Sequence, residues 1–376
     1  MLSWNPIPRY DHTIGLQVKN FLTCACILFL ASTFTIGCTP QDDTKEITPL
    51  PSEANQAKPK KDPAKETAEP AVQREPIVKR KFSPMDQAFK GNGISYGPYR
   101  KDQRPGGAEP TKDQIREDLK LLAGDNWEML RMYGTEPFAR KTCEVIREDK
   151  LNIKVMVGAW VQTEKGQTEA AAGNQGQVDR AIKLANEFPE IVAAVNVGNE
   201  TQVFWSAHKV EQATLIKYIR QVRDNIKQPV TVADDFKFWK TDDSKPVAAE
   251  LDFIVTHIYA MWLGQQLESA VSYTQAQYKE VCAKHPDHLV IIGEAGWATQ
   301  KAEHGDQGKL IKGTPGETEQ KQFFKEYTEW LRTDKIGYFY FEAFDEPWKG
   351  GDDPAEVEKH WGLFREDRTR KPAIEK

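Results

Sequence analysis

The sequence predicts an α/β protein built as a closed (β/α)8 barrel, a TIM barrel, and three observations predict it. From about Phe82 onward, short apolar segments alternate with amphipathic ones, the order of strands and helices in a parallel sheet. Eight such strand segments can be counted, the number that closes a barrel filled by its own side chains. Polar residues gather at the C-terminal ends of these segments and not at their starts, so one face is built for chemistry.

In chain order the expected strands are Gly93–Tyr99, Trp127–Tyr133, Ile153–Val161, Ala193–Glu200, Val230–Asp234, Phe253–Tyr259, Leu289–Trp297 and Gly337–Phe344. Each is a short apolar run between amphipathic segments. Helical spacing of apolar residues falls near 112–123, 137–149, 176–187, 208–227, 266–284 and 317–334. The connection through 236–250 has the weakest helical pattern. The polar tips are Tyr96, Arg131, Tyr133, Asn199, Glu200, Asp234, Asp235, His257, Tyr259, Glu294, Trp297 and Glu342.

Ahead of the barrel the chain reads as an export signal and a spacer. Arg9 and Lys19 precede an apolar run, Phe21–Phe34, that is shorter than a membrane span needs. It leads into Thr-Ile-Gly-Cys at Cys38, which resembles the lipobox where bacterial lipoproteins are acylated, with Thr35 in place of the usual leucine. Residues 1–37 are thus expected to be a lipoprotein signal peptide, with Cys38 as the lipidation site. The segment after it, to Arg80, has no aromatic residue and carries eight acids against eight bases, so it cannot bury enough apolar surface to fold. Residues 38–80 are expected to be a disordered tether and 81–376 the barrel domain. The product would be an exported protein, anchored by its lipid at the cell surface, in the periplasm or at the outer membrane.

Composition excludes several classes. The net charge of −5 gives no footprint for nucleic acid. Cys143 and Cys282 lie in helical segments without a CxxC or Cys/His cluster, and the seven histidines show no HExxH, so neither a disulfide framework nor a metal site is expected. No dinucleotide loop or GxSxG elbow is present, and no cofactor is expected. The ten tryptophans serve either core filling or flat apolar platforms. Trp348, Trp160, Trp205, Trp239 and Trp262 are the platform candidates. A monomer is expected.

The chemistry rests on two carboxylates. VNVGNE ends at Glu200 on the fourth strand and IIGEAGW carries Glu294 on the seventh, 94 residues later. A buried strand has no use for a charge at its tip unless the tip faces a polar site. Two carboxylates at one end of a barrel suit glycosidic bond cleavage, where one protonates the leaving oxygen and the other attacks the sugar. Their surroundings must then hold one protonated and the other ionised. Glu200 is expected to be the acid/base and Glu294 the nucleophile, with Arg131 stabilising the ionised Glu294 and Tyr259 donating to it.

In order, GISYGPY, LRMYG, VNVGNE, HIYA, IGEAGW, FEAFDEPWK and EKHWGLF together resemble family 17 glycoside hydrolases, over about Gly91 to Phe364. That family comprises β-1,3-glucanases and related glucanosyltransferases. The resemblance implies Glu200 as proton donor, Glu294 as nucleophile, and Asn199 bonding the 2-hydroxyl of the attacked sugar. It also implies that Tyr96 and Tyr133 line the same subsite, that Glu346 and Lys349 support the centre, and that Glu358 is an accessory carboxylate. A tryptophan follows the family's nucleophile, as Trp297 does here, and the expected substrate-binding residues are Asn199, Tyr96, Tyr133, Tyr259, Trp297, Glu346 and Lys349. The Pro-Trp of FEAFDEPWK departs from plant members. The expected activity is retaining hydrolysis of laminarin-like β-1,3-glucan. The same intermediate would serve a β-1,3-glucanosyltransferase, and a non-catalytic surface glycan-binding lipoprotein is the alternative of another class.

Overall fold

In the computed structural model, residues 75–82, 92–165 and 168–375 are described. The signal peptide, Cys38 and the tether as far as residue 74 lie outside the described residues. Seven parallel strands pair in sequence order: β1 (Asn92–Ser95), β2 (Trp127–Arg131), β3 (Lys154–Ala159), β4 (Val192–Asn199), β5 (Val230–Asp235), β6 (Ile254–His257) and β7 (Val290–Glu294). The eighth expected strand forms bridges rather than a continuous ladder. Tyr338 bridges Ile292 on β7 and Tyr340 bridges Ile94 on β1. Around them, the Phe339 N–H bonds the Ile292 carbonyl at 2.8 Å and the Tyr340 N–H bonds the Gly93 carbonyl at 2.8 Å. One segment therefore satisfies both open edges and closes the ring.

The helices follow as expected, with differences at their ends. They are α1 (Lys112–Gly124), α2 (Pro137–Glu148), α3 (Thr168–Glu187), α4 (Gln212–Asn225), α5 (Phe236–Trp239), α6 (Lys245–Ala248), α7 (Leu267–Lys284), α8 (Gly305–Leu310) and α9 (Glu317–Asp334). Thr111 and Gln114 form a capping box at the start of α1, and Pro137 occupies the first turn of α2, where its missing N–H costs nothing. The weak 236–250 stretch is two single turns, α5 and α6, joined by a 3-10 turn. The helix expected from 208 begins at Gln212, because the preceding residues make a loop over the catalytic face.

Side chains alternate between the barrel interior and the layer beneath the helices. Met129, Met156, Ala194, Ala233, Val255, Ile291 and Phe339 point inward and meet at the base. Phe82 closes that base, its ring stacked on Phe253 at 4.4 Å. The residues just before it form a strap: Arg80 donates to the Gln228 and Arg223 carbonyls, each at 2.9 Å, and the Arg80 N–H meets Asp252 at 2.6 Å. The packed unit thus starts ahead of residue 81, the boundary expected from composition, because charged strap residues bind backbone carbonyls without needing an apolar run. Phe82→Ala is expected to lower the unfolding free energy by about 3–5 kcal/mol, the usual cost of emptying a buried phenylalanine site. Urea denaturation of the two full-length proteins measures it.

Candidate active site

Register decides which tip residues face the interior. Gly93 pairs with Met129 and Ser95 with Arg131, so Ser95, Arg131 and Tyr133 point inward and Tyr96 points outward. Tyr96 is fully buried, 3.3 Å from Asp118 Oδ2 on α1, and its ring meets Phe344 edge-on. The expectation that Tyr96 lines the sugar site is corrected: strand alternation gives that position to Ser95.

Both key carboxylates sit where the ladder slips. The β4–β5 register shifts between Asn196 and Asn199, and the β6–β7 register shifts between Thr256 and His257, so that His257 pairs with Glu294. On β7 the slip turns Glu294 inward where alternation from Ile291 would turn it away, and on β4 Glu200 keeps the inward parity of Ala194 while the slip brings Asn199 in beside it. On β4 the change is made by Gly198 at φ 82° and Glu200 itself at φ 48°. A left-handed non-glycine residue costs about 1 kcal/mol, which the local hydrogen bonds of the barrel rim must offset.

Glu294 is held by donors. Arg131 Nη1 lies 2.5 Å and the Tyr133 hydroxyl 3.0 Å from Oε1, while the Tyr259 hydroxyl lies 2.5 Å from Oε2. Burial alone would raise its pKa, but His257 and Arg131 outweigh burial and hold the carboxyl at about 2. Its contribution to folding is therefore present above the ordinary carboxyl value and lost as pH falls toward about 2. Arg131 is fully buried and also donates to Asn199 Oδ1 at 2.5 Å, which fixes the amide beside Glu200.

Glu200 is the more open of the two carboxylates, with 26% of its side chain exposed against 6% for Glu294. A ring nitrogen of His257, Nδ1, lies 3.1 Å from Glu200 Oε1, and its Nε2 lies 3.4 Å from Glu294 Oε1. One imidazole thus spans the two acids, whose nearest oxygens lie within 4.8 Å of each other. This matches the close spacing of retaining enzymes, about 5–5.5 Å, and leaves too little room for the water an inverting pair needs. His257 was legible only as a polar tip, and its bridging position was not.

Among the described residues, Glu200, His257 and Glu294 are also the one trio with the spacing of metal ligands. The guanidinium of Arg131 and two phenol hydroxyls already occupy Glu294, an environment suited to an anion rather than to a shared cation.

The remaining predicted residues divide. Lys349 Nζ reaches Glu342 at 2.8 Å and Glu346 at 2.7 Å in a buried cluster. Burial opposes the Lys349 charge, but both glutamates hold its pKa well up. The Glu346 carboxylate packs against Gly97, where a Cβ would have to displace it. Glu342, seen in the sequence only as a tip, is the partner that was missed. Glu358 accepts from the Trp262 indole at 3.2 Å, and burial, with Glu200 and Glu294 nearby, pushes its carboxyl up to about 7 against the pull of Lys349. Trp297 is corrected: it is fully buried, its indole N–H bonds the Thr314 carbonyl at 2.9 Å, and its ring packs against Phe323 of α9. It supports the loop after β7 and cannot reach a sugar. Trp239 is likewise buried, bonded to the Val255 carbonyl at 2.9 Å.

Two predictions arise here. Arg131→Met leaves Glu294 as a buried, under-paired carboxylate, so stability is expected to fall by about 3–5 kcal/mol. The acid limb of kcat/KM should also move to higher pH, because the pKa of Glu294 rises once the guanidinium is gone. Denaturation and a pH–rate profile read both effects. Asp235 faces the same region, and burial together with Glu200 pushes its carboxyl up to about 7 although the Lys237 N–H opposes this. A raised carboxyl favours the folded state when protonated, so wild type should lose stability as pH rises from about 4 to about 7. Asp235→Asn should lack that loss, and the gap in melting temperature should be absent near pH 4 and widest at pH 8.

Residues 93–362 match the family model described as the BtgE/BtgC glycoside hydrolase domain. A protein of Aspergillus niger, provisionally named glucan endo-1,3-beta-glucosidase btgC, is 28% identical over 294 residues, covering 70% of this chain and 40% of that protein. The chain thus spans about two-fifths of the length of the first such relatives. A glucan 1,3-beta-glucosidase of Arthroderma benhamiae is 28% identical over 72% of this chain and 86% of its own length. An endo-laminarinase from Formosa superposes with a TM-score of 0.66 at 28% identity, over 74% of this chain and 84% of that one. A family 17 β-1,3-glucanosyltransferase from Rhizomucor miehei superposes at 0.61 and 22% identity, over 76% and 97%, which speaks for the fold.

Proposed function

Because the chain belongs to the BtgE/BtgC glycoside hydrolase domain family, we propose that it is a retaining glycoside hydrolase that cuts laminarin-like β-1,3-glucan by double displacement. The resemblance to glycoside hydrolase family 17 drawn from the sequence holds. The observation that carries the mechanism is the pair Glu200 and Glu294, with oxygens within 4.8 Å and the second held as an anion by Arg131.

In the first step Glu294 attacks the anomeric carbon of the sugar. The bond to the leaving oxygen breaks, and Glu200 gives that oxygen its proton. Positive charge that builds on the ring is stabilised by the carboxylate, while Asn199, oriented by Arg131, is placed to bond a neighbouring hydroxyl. In the second step a water loses its proton to Glu200 and attacks the same carbon, and the ester to Glu294 breaks. The two inversions restore the original configuration. The Tyr259 hydroxyl takes back the returning negative charge on Oε2.

The names of the relatives support a β-1,3-glucan as substrate. The Cys38 motif and the polar run that follows support an exported protein held at a membrane by the acyl chain. Incubating the full-length protein with laminari-, cello- and gentio-oligosaccharides tests the substrate. Shorter products from the laminari series alone are expected, and cleavage of another series in preference would overturn the assignment.

A further inference from the structure

Few large apolar side chains are exposed among the described residues, and the aromatic ones share a face. They are Phe204 at 73%, Trp205 at 38% and Trp348 at 37%, all on loops that follow the C-terminal ends of strands. Such exposure is unfavourable in water unless a ligand covers it. Trp348 follows the closing segment and stands beside the Glu342–Lys349 cluster. Phe204 and Trp205 stand on the loop that begins at the acid, Glu200.

That loop is held rather than loose. The Val210 N–H bonds the Thr201 carbonyl at 2.9 Å and closes its neck, and the Gln202 N–H bonds buried Asp234 at 2.9 Å. His208 Nε2 donates to the Asn199 carbonyl at 2.6 Å, and its ring packs on Trp160 at 4.5 Å. At the tip, Phe204 and Trp205 meet edge to face with centroids 4.9 Å apart, and the Lys237 ammonium sits 5.0 Å from the Trp205 ring. An anchored loop therefore presents a fixed pair of rings to solvent.

Resting on the hydrolase reading above, we infer that Phe204 and Trp205 form the acceptor platform of the cleft, stacking the sugar beyond the scissile bond. The direction follows from the chemistry. The proton donor must face the leaving oxygen, so the sugar attached to that oxygen lies along the rim that continues from Glu200. The other side is taken by Arg131, Tyr133 and Tyr259, which hold the nucleophile. Once the first product leaves, the platform is free to hold a second glucan. Its hydroxyl then gives a proton to Glu200 and attacks the anomeric carbon, the ester bond to Glu294 breaks, and a longer chain forms in place of hydrolysis. The platform thus sets how the glycosyl-enzyme divides between sugar and water.

The test reads that division in the full-length protein. The glycosyl-enzyme is formed from an aryl β-laminaribioside, and laminaritriose is added as acceptor. The ratio of transfer to hydrolysis comes from one intermediate, so it does not depend on how fast a variant forms it. The double variant F204L/W205L keeps apolar bulk but loses both ring faces, and its ratio should fall about tenfold, in keeping with loss of aromatic contact area. The variant F204Y/W205Y keeps the faces and should stay within about twofold of wild type. An unchanged ratio in the leucine variant, or an equal fall in the tyrosine variant, overturns the platform while leaving the hydrolase reading intact. Wild type that turns over the aryl glycoside but makes no transfer product also overturns it. Wild type that does not turn over the aryl glycoside overturns the hydrolase reading, and the platform with it.

Discussion

Glu294→Ala is expected to lower kcat on laminari-oligosaccharides by about five orders of magnitude, comparable to the loss of a covalent nucleophile elsewhere. No other carboxylate among the described residues is placed to replace it. In the proposed mechanism Glu200 serves the leaving oxygen, while Glu342 and Glu346 are tied to Lys349 and Glu358 is held by the Trp262 indole. The substitution also strands Arg131, a fully buried cation left with Asn199, the Tyr133 hydroxyl and the Gly293 carbonyl. Stability should fall by about 3–5 kcal/mol, and Glu294→Gln, which keeps the shape, should fall less. Both variants should be equally inactive, which separates lost chemistry from lost folding. Azide should partly restore the alanine variant, by occupying the vacated space and attacking the anomeric carbon once. The product is then a glycosyl azide of inverted configuration.

For Glu200→Ala the expected loss depends on the leaving group. A glucan leaves as an alkoxide unless it is protonated, so loss of the acid should cost about 10²–10⁴-fold on oligosaccharides. A nitrophenyl glycoside leaves as a stable phenolate, so its first step should be nearly as fast as in wild type. The second step then lacks its base, and the glycosyl-enzyme should accumulate. Stopped-flow release of nitrophenolate should show a burst equal to the enzyme present, followed by a slow steady state. Azide should speed that steady state and give a glycosyl azide of retained configuration. Equal losses on both substrates, without a burst, would mean that Glu200 is not the proton donor.

The sequence was informative where one residue carries a signal by itself. Strand runs, polar tips and the motif order located the barrel, Glu200, Glu294, Asn199, Arg131, Tyr133 and Tyr259. What it hid depends on register. Tyr96 and Ser95 are adjacent in GISYGPY, and only the pairing of Ser95 with Arg131 shows which one faces the interior. The ladder slips that bring Asn199 and Glu294 inward defeat a simple count of alternate residues. Trp297 reads as a cleft residue because it follows the nucleophile closely, yet the chain has already left the strand there. Its ring belongs to the layer beneath α9. His257 and Glu342 make their contacts across strands, and nothing local in HIYA or FEAF announces those contacts. The strap before Phe82 was hidden for a different reason. Its hold on the barrel comes from arginine bonds to carbonyls, and composition reads such a segment as tether.

The proposed reaction passes through a covalent glycosyl ester on Glu294. Incubation with a 2-deoxy-2-fluoro-β-laminaribiosyl fluoride should trap it, because the fluorine slows both steps while the good leaving group keeps the first one accessible. Peptide mapping by mass spectrometry should then find one added 2-fluoro-laminaribiosyl group, on the peptide containing Glu294 and on that residue. Label on Glu200 or another carboxylate, or steady turnover of the reagent with no label anywhere, would contradict the account.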